Sequence, residues 1–335
     1  MNWEDKSVLI TGGNGFLGKN LTLHLLELGI PKIRVIDNLK KHEDDKYDLE
    51  DVRVEFINSD LRDEQSCSNA CDGMDIVFHC ASKVGSIKFY NNSAYDVISN
   101  NVLIDAQILK SAVKSNISSF VYISSAFIYP LERMQDSNSI PITENEAFPA
   151  NPVNSYGWAK LMGELSVKYA VDNYKNFKGV IARLSNFYGP HQSSDYKIGS
   201  IIPVLIRKAC EFSKNDSFEI YGNGCETRTY CYISDVLDAL CISVAKSYKE
   251  NLIGPVNIGS EIPIKIVELA EKIIKISGKP ITLQKLSAPP PLTMSQTLNC
   301  TLAKNILDGW VPKISIDTGL KKMFKYFNQL NNSKG

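Results

Sequence analysis

The chain has 335 residues, 44% of them hydrophobic, with 37 basic side chains against 37 acidic ones. That length allows one large or two modest domains with an ample core, and the charge balance provides no long-range field for nucleic acid or an anionic membrane. The opening Met1-Asn2-Trp3-Glu4-Asp5-Lys6 lacks the basic-then-apolar form of a signal peptide, and no run has the apolar length of a membrane helix, so a soluble cytoplasmic protein is expected.

The first apolar run, Val8-Leu9-Ile10, suits a buried parallel strand and leads into Gly12-Gly13-Asn14-Gly15-Phe16-Leu17-Gly18. Gly12, Gly15 and Gly18 stand in Gly-x-x-Gly-x-x-Gly spacing, and a helix-period stretch over 16–28 follows, opened by Phe16 and Leu17. Glycines at such a strand-to-helix turn let the backbone approach a pyrophosphate, which the positive helix N-terminus attracts. A second strand, Ile33-Arg34-Val35-Ile36, ends at Asp37, with Asn38 next. A carboxylate there accepts hydrogen bonds from an adenosine ribose and repels a 2′-phosphate, which favours NAD over NADP. Lys40 and Lys41 close by weaken that preference, and the charged run 40–53 is expected to form a solvated loop and helix. Asp60, with Leu61 beside it, ends the strand-like Ile57-Asn58-Ser59 and is placed to meet an adenine edge. The strand Ile76-Val77-Phe78 runs into His79-Cys80-Ala81-Ser82-Lys83, whose small residues such as Ala81 suit a close ligand, while Lys83 can meet phosphate or ribose.

Ser125 ends a further strand-like run, and Tyr156-Gly157-Trp158-Ala159-Lys160 follows within a helical stretch over 154–173. Residues i and i+4 share one helix face, so Tyr156 and Lys160 point into one site. An ammonium beside a phenol favours phenolate, and the expectation is a tyrosine with a lowered pKa acting as general base near neutral pH.

Strand-like runs recur near residues 7, 33, 53, 75, 119 and 180, separated by helix-like stretches that include 97–115. Such alternation implies a parallel sheet covered on both faces. After Arg183 it lapses into loops, followed by helix-like segments at 234–247 and 264–277. The expected fold is a doubly wound, mostly parallel α/β sheet with a smaller mixed C-terminal lobe over its carboxyl edge. The sheet domain takes 1–185, with 230–260 returning to it, and the lobe takes 186–229 and 261–335. Eight cysteines lack Cys-x-x-Cys pairs and histidine partners, so buried thiols are expected and no metal. His24 among leucines reads as packed or half-exposed, Pro289-Pro290-Pro291 as a stiff loop, and 331–335 as frayed.

With the glycine turn, Asp37, Ser125, Tyr156 and Lys160 in this order, the chain resembles the extended short-chain dehydrogenase/reductase family, in its nucleotide-sugar epimerase, dehydratase and reductase group. The likeness extends to Asn101-Val102, to Arg183-Leu184-Ser185-Asn186-Phe187-Tyr188-Gly189-Pro190, to Arg228 and Asp235, and to Val256-Asn257-Ile258-Gly259. It implies a Rossmann domain and an NAD site that includes Asn101. Tyr156 would take a proton from a sugar hydroxyl, Lys160 would hold the ribose, and Ser125 would bond the reacting oxygen. Asn186 and Arg228 would grip the diphosphate, and a homodimer built on helices is implied.

The segment Ser124-Ser125-Ala126-Phe127-Ile128-Tyr129-Pro130 is similar to the matching strand of GDP-mannose 3,5-epimerase and GDP-fucose synthase, and Lys83-Val84-Gly85 shares that likeness. Val84 and Phe127 therefore join the substrate site, with a GDP- or UDP-linked sugar as ligand. Those enzymes carry a cysteine where this chain has Phe127, and their partner acid falls in a loop where it offers Asp195, Lys197 and Ser200. The 4,6-dehydratases place acids at the positions of Ala126 and Phe127. Both chemistries are thus disfavoured, which leaves hydride transfer at C4. A 4-epimerase is the leading expectation, and a GDP-sugar 4-dehydrogenase or 4-keto reductase the alternative. The intact serine, tyrosine and lysine argue against a non-catalytic NAD(H) sensor.

Overall fold

The structure is a computed structural model describing all residues except 1–2, 40–46, 86, 137–139, 197–198, 214–215, 289–290 and 333–335. Its centre is a seven-stranded sheet of β1 (Ser7–Thr11), β2 (Lys32–Asp37), β3 (Val54–Asn58), β4 (Ile76–His79), β5 (Ser119–Ser125), β6 (Lys178–Leu184) and, from later in the chain, β10 (Leu252–Ile258). The spatial order is β10-β6-β5-β4-β1-β2-β3, and every pairing is parallel. The chain runs outward from β1 to β3, then returns to β4 on the other side of β1. That reversal opens a crevice at the strands' carboxyl ends, where ligands bind in such sheets.

Side-chain alternation buries both faces. Val8 and Ile10 of β1, Val121 and Ile123 of β5, and Val180 and Ala182 of β6 enter one apolar cluster. Leu9, Phe120, Tyr122 and Ile181 point the opposite way into another. The helices α1 (Phe16–Glu27), α2 (Glu64–Cys71), α3 (Ile87–Asn92), α4 (Ala94–Lys114) and α5 (Ser155–Asn173) lie between these strands in the chain. Their observed ends differ by only a few residues from the stretches expected at 16–28, 97–115 and 154–173.

A small mixed sheet surrounds β9 (Thr227–Tyr232), which pairs antiparallel with β11 (Pro263–Lys265) and parallel with both β7 (Asn186–Tyr188) and β13 (Ser295–Gln296). A two-stranded ribbon joins β8 (Phe218–Tyr221) to β12 (Leu283–Leu286). The remaining helices are α6 (Ile201–Glu211), α7 (Ile233–Ser247), α8 (Ile266–Ser277), α9 (Thr301–Ile306) and α10 (Ile316–Asn332). The apolar cluster that holds Val8 also holds Ile264, Leu320 and Phe327, so sheet and lobe share a core.

Two expectations need correction. The described part of the charged run, 47–53, contains no helix; Tyr47 instead stacks on Phe56 of β3 with ring centroids 4.3 Å apart. Cys225 is exposed rather than buried, while Cys67, Cys71, Cys231, Cys241 and Cys300 are buried. His24 is half-buried, as expected. Pro289, Pro290 and 333–335 lie outside the described residues.

Polar bonds fasten α5 to the sheet. Arg183 on β6 and Glu164 on α5 are both buried and form a two-pronged ion pair, with nitrogen–oxygen distances of 2.7 and 3.0 Å. Ser124 donates to the same carboxylate, and Arg183 also bonds the Tyr129 hydroxyl at 3.1 Å. Burial opposes the Arg183 charge, but Glu164 and Tyr129 outweigh it and hold the guanidinium firmly protonated. Removing one member of such a pair leaves a buried charge uncompensated. We expect Glu164→Ala to lower unfolding free energy by about 3–5 kcal/mol in chemical denaturation; a loss under about 1 kcal/mol would contradict this reading.

Candidate active site

The glycine turn is built by close backbone contact. A side chain on Gly12, whose φ is +65°, would place its Cβ 2.7 Å from Ala81 backbone atoms. At Gly18 the Cβ would lie 2.4 Å from the Gly12 carbonyl oxygen, and at Gly15 it would lie 3.1 Å from the same atom. Only glycine allows α1 to start this close to β1. No side chain caps α1, so its first-turn amides remain available to an anion. Leu17 is buried in the core, and the Phe16 ring stacks on Phe187 at 5.3 Å, tying the turn to β7.

Asp37 sits at the carboxyl end of β2 and accepts hydrogen bonds from the Asn14 amide at 3.1 Å and the Leu39 amide at 2.9 Å. The carboxylate thus stands beside the glycine turn, where a ribose would lie. Asp60 is gripped by Arg62 at 2.7 Å and also bonded by Asn38, an arrangement that holds its carboxyl well below the usual range. Leu61 is buried next to it. Ala81 donates its amide to Thr11 Oγ1 at 3.1 Å, under Gly12. Asn101 is fully buried, and its amide group holds the Lys83 backbone from both sides at 2.6 and 3.1 Å. It therefore serves the site by fixing the loop that carries Lys83 and the exposed Val84. Lys40, Lys41 and Lys197 lie outside the described residues.

This cradle fits a dinucleotide. Packed glycines at Gly12 and Gly18, uncapped amides on α1 and the Asp37 carboxylate supply a close backbone, an anion site and a ribose acceptor. Among the described residues no helix is long and apolar enough to cross a membrane, and no cluster of metal-ligating side chains occurs.

The reactive end is assembled by α5 lying against β5. Asn154 caps α5 by accepting from the Gly157 amide at 3.1 Å. A Cβ on Gly157 would meet the Phe127 carbonyl oxygen at 2.1 Å, so glycine lets the helix start there. Tyr156 consequently comes close to Ser125 and Ser82, and both act to lower its phenol. Two aromatic rings enclose it: Tyr90 stacks on it at 5.5 Å, and Phe127 meets it edge-on at 6.4 Å. Tyr90 escaped sequence reasoning because nothing in its local pattern marks it.

The expected lowering of the Tyr156 pKa is not what the structure shows. The ring keeps some solvent contact, yet desolvation by the surrounding protein raises the phenol, and Asp105 raises it further against the lowering effect of Ser82 and Ser125. Lys160 is buried, with its ammonium 4.8 Å from the Tyr122 ring centre and 5.8 Å from that of Tyr156. Burial lowers the lysine, while Asp105, Cys80 and Glu164 oppose that. Asp105 acts on both groups, raising the lysine and the phenol alike.

On the lobe side, Asn186 of β7 bonds the Thr229 carbonyl at 3.3 Å. Arg228 of β9 donates to the Thr227 carbonyl at 2.7 Å and to both Thr293 oxygens at 3.1 Å. Desolvation lowers its pKa, and among the described residues no carboxylate pairs with it at salt-bridge distance. Gln296, within 3.5 Å of Asn186, adds a buried amide that sequence reasoning missed.

The sequence profile of the NAD dependent epimerase/dehydratase family matches residues 8–259. GDP-mannose 3,5-epimerase 1 of Oryza sativa subsp. japonica is 28% identical over 97% of this chain and 82% of its own length. GDP-L-fucose synthase of Sinorhizobium fredii is 31% identical over 75% of this chain and 78% of its own. The structure of UDP-glucuronic acid 4-epimerase from Bacillus cereus, in complex with UDP-glucuronic acid and NAD, superposes with a TM-score of 0.80 at 25% identity, covering 97% of this chain and 99% of that one. The glycine cradle, the paired Ser125 and Tyr156 and this match over most of the chain lead to one conclusion: the protein is an NAD-dependent enzyme of the NAD dependent epimerase/dehydratase family.

Proposed function

We propose that this enzyme oxidises and re-reduces C4 of a nucleotide-diphosphate sugar, acting as a 4-epimerase. The observation that carries the reading is the enclosure of Tyr156. Ser125 stands close to its phenol, and the flanking groups are the rings of Tyr90 and Phe127, neither of which suits a second proton exchange at C3, C5 or C6. Burial raises the Tyr90 phenol as well. Hydride transfer at one carbon needs only one proton acceptor, and among the described residues packed on Tyr156 the two rings add none.

When bound, NAD supplies the hydride acceptor and a positive charge near the phenol. Gly12, Gly15 and Gly18 would hold its pyrophosphate, Asp37 its adenosine ribose, and Asp60 and Leu61 would border the adenine. Tyr156, once ionised, takes the proton from the C4 hydroxyl. Ser125 donates a hydrogen bond to that oxygen and steadies its charge. Tyr156 returns the proton after the sugar has presented its opposite face. Arg228, with no carboxylate partner, and Asn186 would bind the diphosphate, Arg228 through paired donors. A GDP-linked sugar fits the likeness to the rice and Sinorhizobium relatives, and a UDP-linked one fits the Bacillus structure, so both belong in the assay.

The test is incubation with UDP- and GDP-hexoses, following product by chromatography and NADH by absorbance. We expect a C4-inverted sugar with no net NADH, whereas steady NADH change would convert the reading to a dehydrogenase or reductase. Tyr156→Phe should lose roughly 10²–10⁴-fold in turnover while still binding NAD; turnover within a few-fold of the parent would remove Tyr156 from the chemistry.

Asp37→Ala should weaken NAD roughly tenfold, about 1.4 kcal/mol, and NADP less, as read by fluorescence titration. An unchanged NAD-to-NADP ratio would refute the ribose assignment.

We also propose a homodimer through α4 and α5, which pack together and expose Tyr95, Val102 and Leu103 on one and Trp158, Met162 and Tyr169 on the other. Light scattering should give twice the 37.3 kDa chain mass, and Met162→Glu with Tyr169→Glu should give monomers; a monomeric parent protein would rule the dimer out.

A further inference from the structure

Behind Lys160 lies a buried polar chain that the proposed chemistry does not use. It consists of Thr11, His79, Asp105 and Tyr122, all nearly inaccessible to solvent. Asp105 is held ionised by its neighbours and must accept, and burial opposes an imidazolium at His79, so the ring has a single N–H. That proton lies on Nε2 and goes to Asp105 Oδ1 at 2.9 Å. His79 Nδ1 then accepts from the Thr11 hydroxyl at 2.7 Å, whose oxygen also accepts the Ala81 amide at 3.1 Å. Tyr122 donates its phenol proton to the other oxygen, Asp105 Oδ2. Asp105 therefore accepts on both oxygens as a carboxylate, while His79 is a neutral imidazole.

A buried carboxylate needs a compensating charge. With His79 neutral, the nearest cation is Lys160, whose ammonium lies over the Tyr122 ring at 4.8 Å. A phenol that donates to a carboxylate presents a more electron-rich face, and that favours a cation on it. The helix that carries Lys160 is shaped for this contact. A Cβ on Gly163 would fall 2.0 Å from the Tyr122 hydroxyl and 2.9 Å from Asp105 Oδ2. Any other residue there would displace the bond between them.

We propose that Asp105 is a positioning residue: acting through the Tyr122 phenol, it compensates the Lys160 ammonium and fixes it beside Tyr156. The inference rests on the assignment of Tyr156 and Lys160 to the chemistry. The charge balance agrees with the geometry. Burial alone would raise Asp105, yet Lys160, His79 and Tyr122 outweigh it and hold it below the usual range. Burial lowers His79. The titratable groups facing Lys160 are Asp105 from α4, Glu164 from α5, His79 and Cys80 from β4 and the residue after it, Tyr122 from β5, and Tyr156 itself. Glu164 is already paired with Arg183, which leaves Asp105 as the uncommitted anion.

Two measurements test this. Asp105→Asn keeps the side-chain shape but removes the charge that raises both Lys160 and Tyr156. In the pH profile of NAD-dependent turnover, both limbs should move toward acid by about one pH unit. The acid limb follows Tyr156 ionisation and the alkaline limb follows Lys160 deprotonation. A folded variant with an unmoved profile overturns the proposal. The second uses the unmodified protein and no substrate. Nitrogen-15 NMR of histidine-labelled protein, which has four histidines, should show His79 neutral with the proton on Nε2 between pH 6 and pH 9. An imidazolium there would make His79 the partner of Asp105 and sink the inference. If the parent enzyme turns over no sugar, the proposed function fails, while the NMR result still decides the role of Asp105.

Discussion

The close seating of α5 against β5 is the constraint on which the site depends. Two glycines allow it. Gly157 lets the helix begin over the Phe127 carbonyl, and Gly163 leaves room for the Tyr122 hydroxyl and the Asp105 carboxylate. The buried Glu164–Arg183 pair then fixes the helix to the neighbouring strand. Tyr156 comes close to Ser125, and Lys160 is buried, because the helix cannot sit further out without breaking that pair.

The same seating sets the electrostatics. A lysine placed one turn from a tyrosine in water would be expected to favour phenolate. Here both groups are desolvated, and Asp105 faces them. The phenol is raised and the lysine is balanced by the carboxylate. A positive charge brought beside the phenol by the cofactor would act against that rise.

Much of this was legible in the sequence, and the limits have physical causes. The glycine turn, Asp37 and the Tyr-x-x-x-Lys pair are local patterns, each confined to one turn or one helix face, and so are the main strands and the helices flanking them. Ser125 and Arg228 became meaningful through family likeness. By contrast, α6 and α10 carry apolar faces that make sense only once the lobe is folded, and α3 has six residues, too few for a period to show. Tyr90, His79, Asp105, Tyr122 and Gln296 come from separate segments, and nothing local links them. Asn101 entered the expected site through family likeness, and its grip on the Lys83 backbone depends on contacts between separate segments. The direction of the Tyr156 shift was misread because burial and Asp105 are properties of the tertiary fold.

The most direct test of the account is a crystal structure with NAD and a GDP- or UDP-hexose bound. The sugar O4 is expected between the Tyr156 and Ser125 hydroxyls, with C4 roughly 3–3.5 Å from the reactive nicotinamide carbon. A different sugar carbon at that point, or a Tyr156 hydroxyl turned out of the cleft, would contradict it.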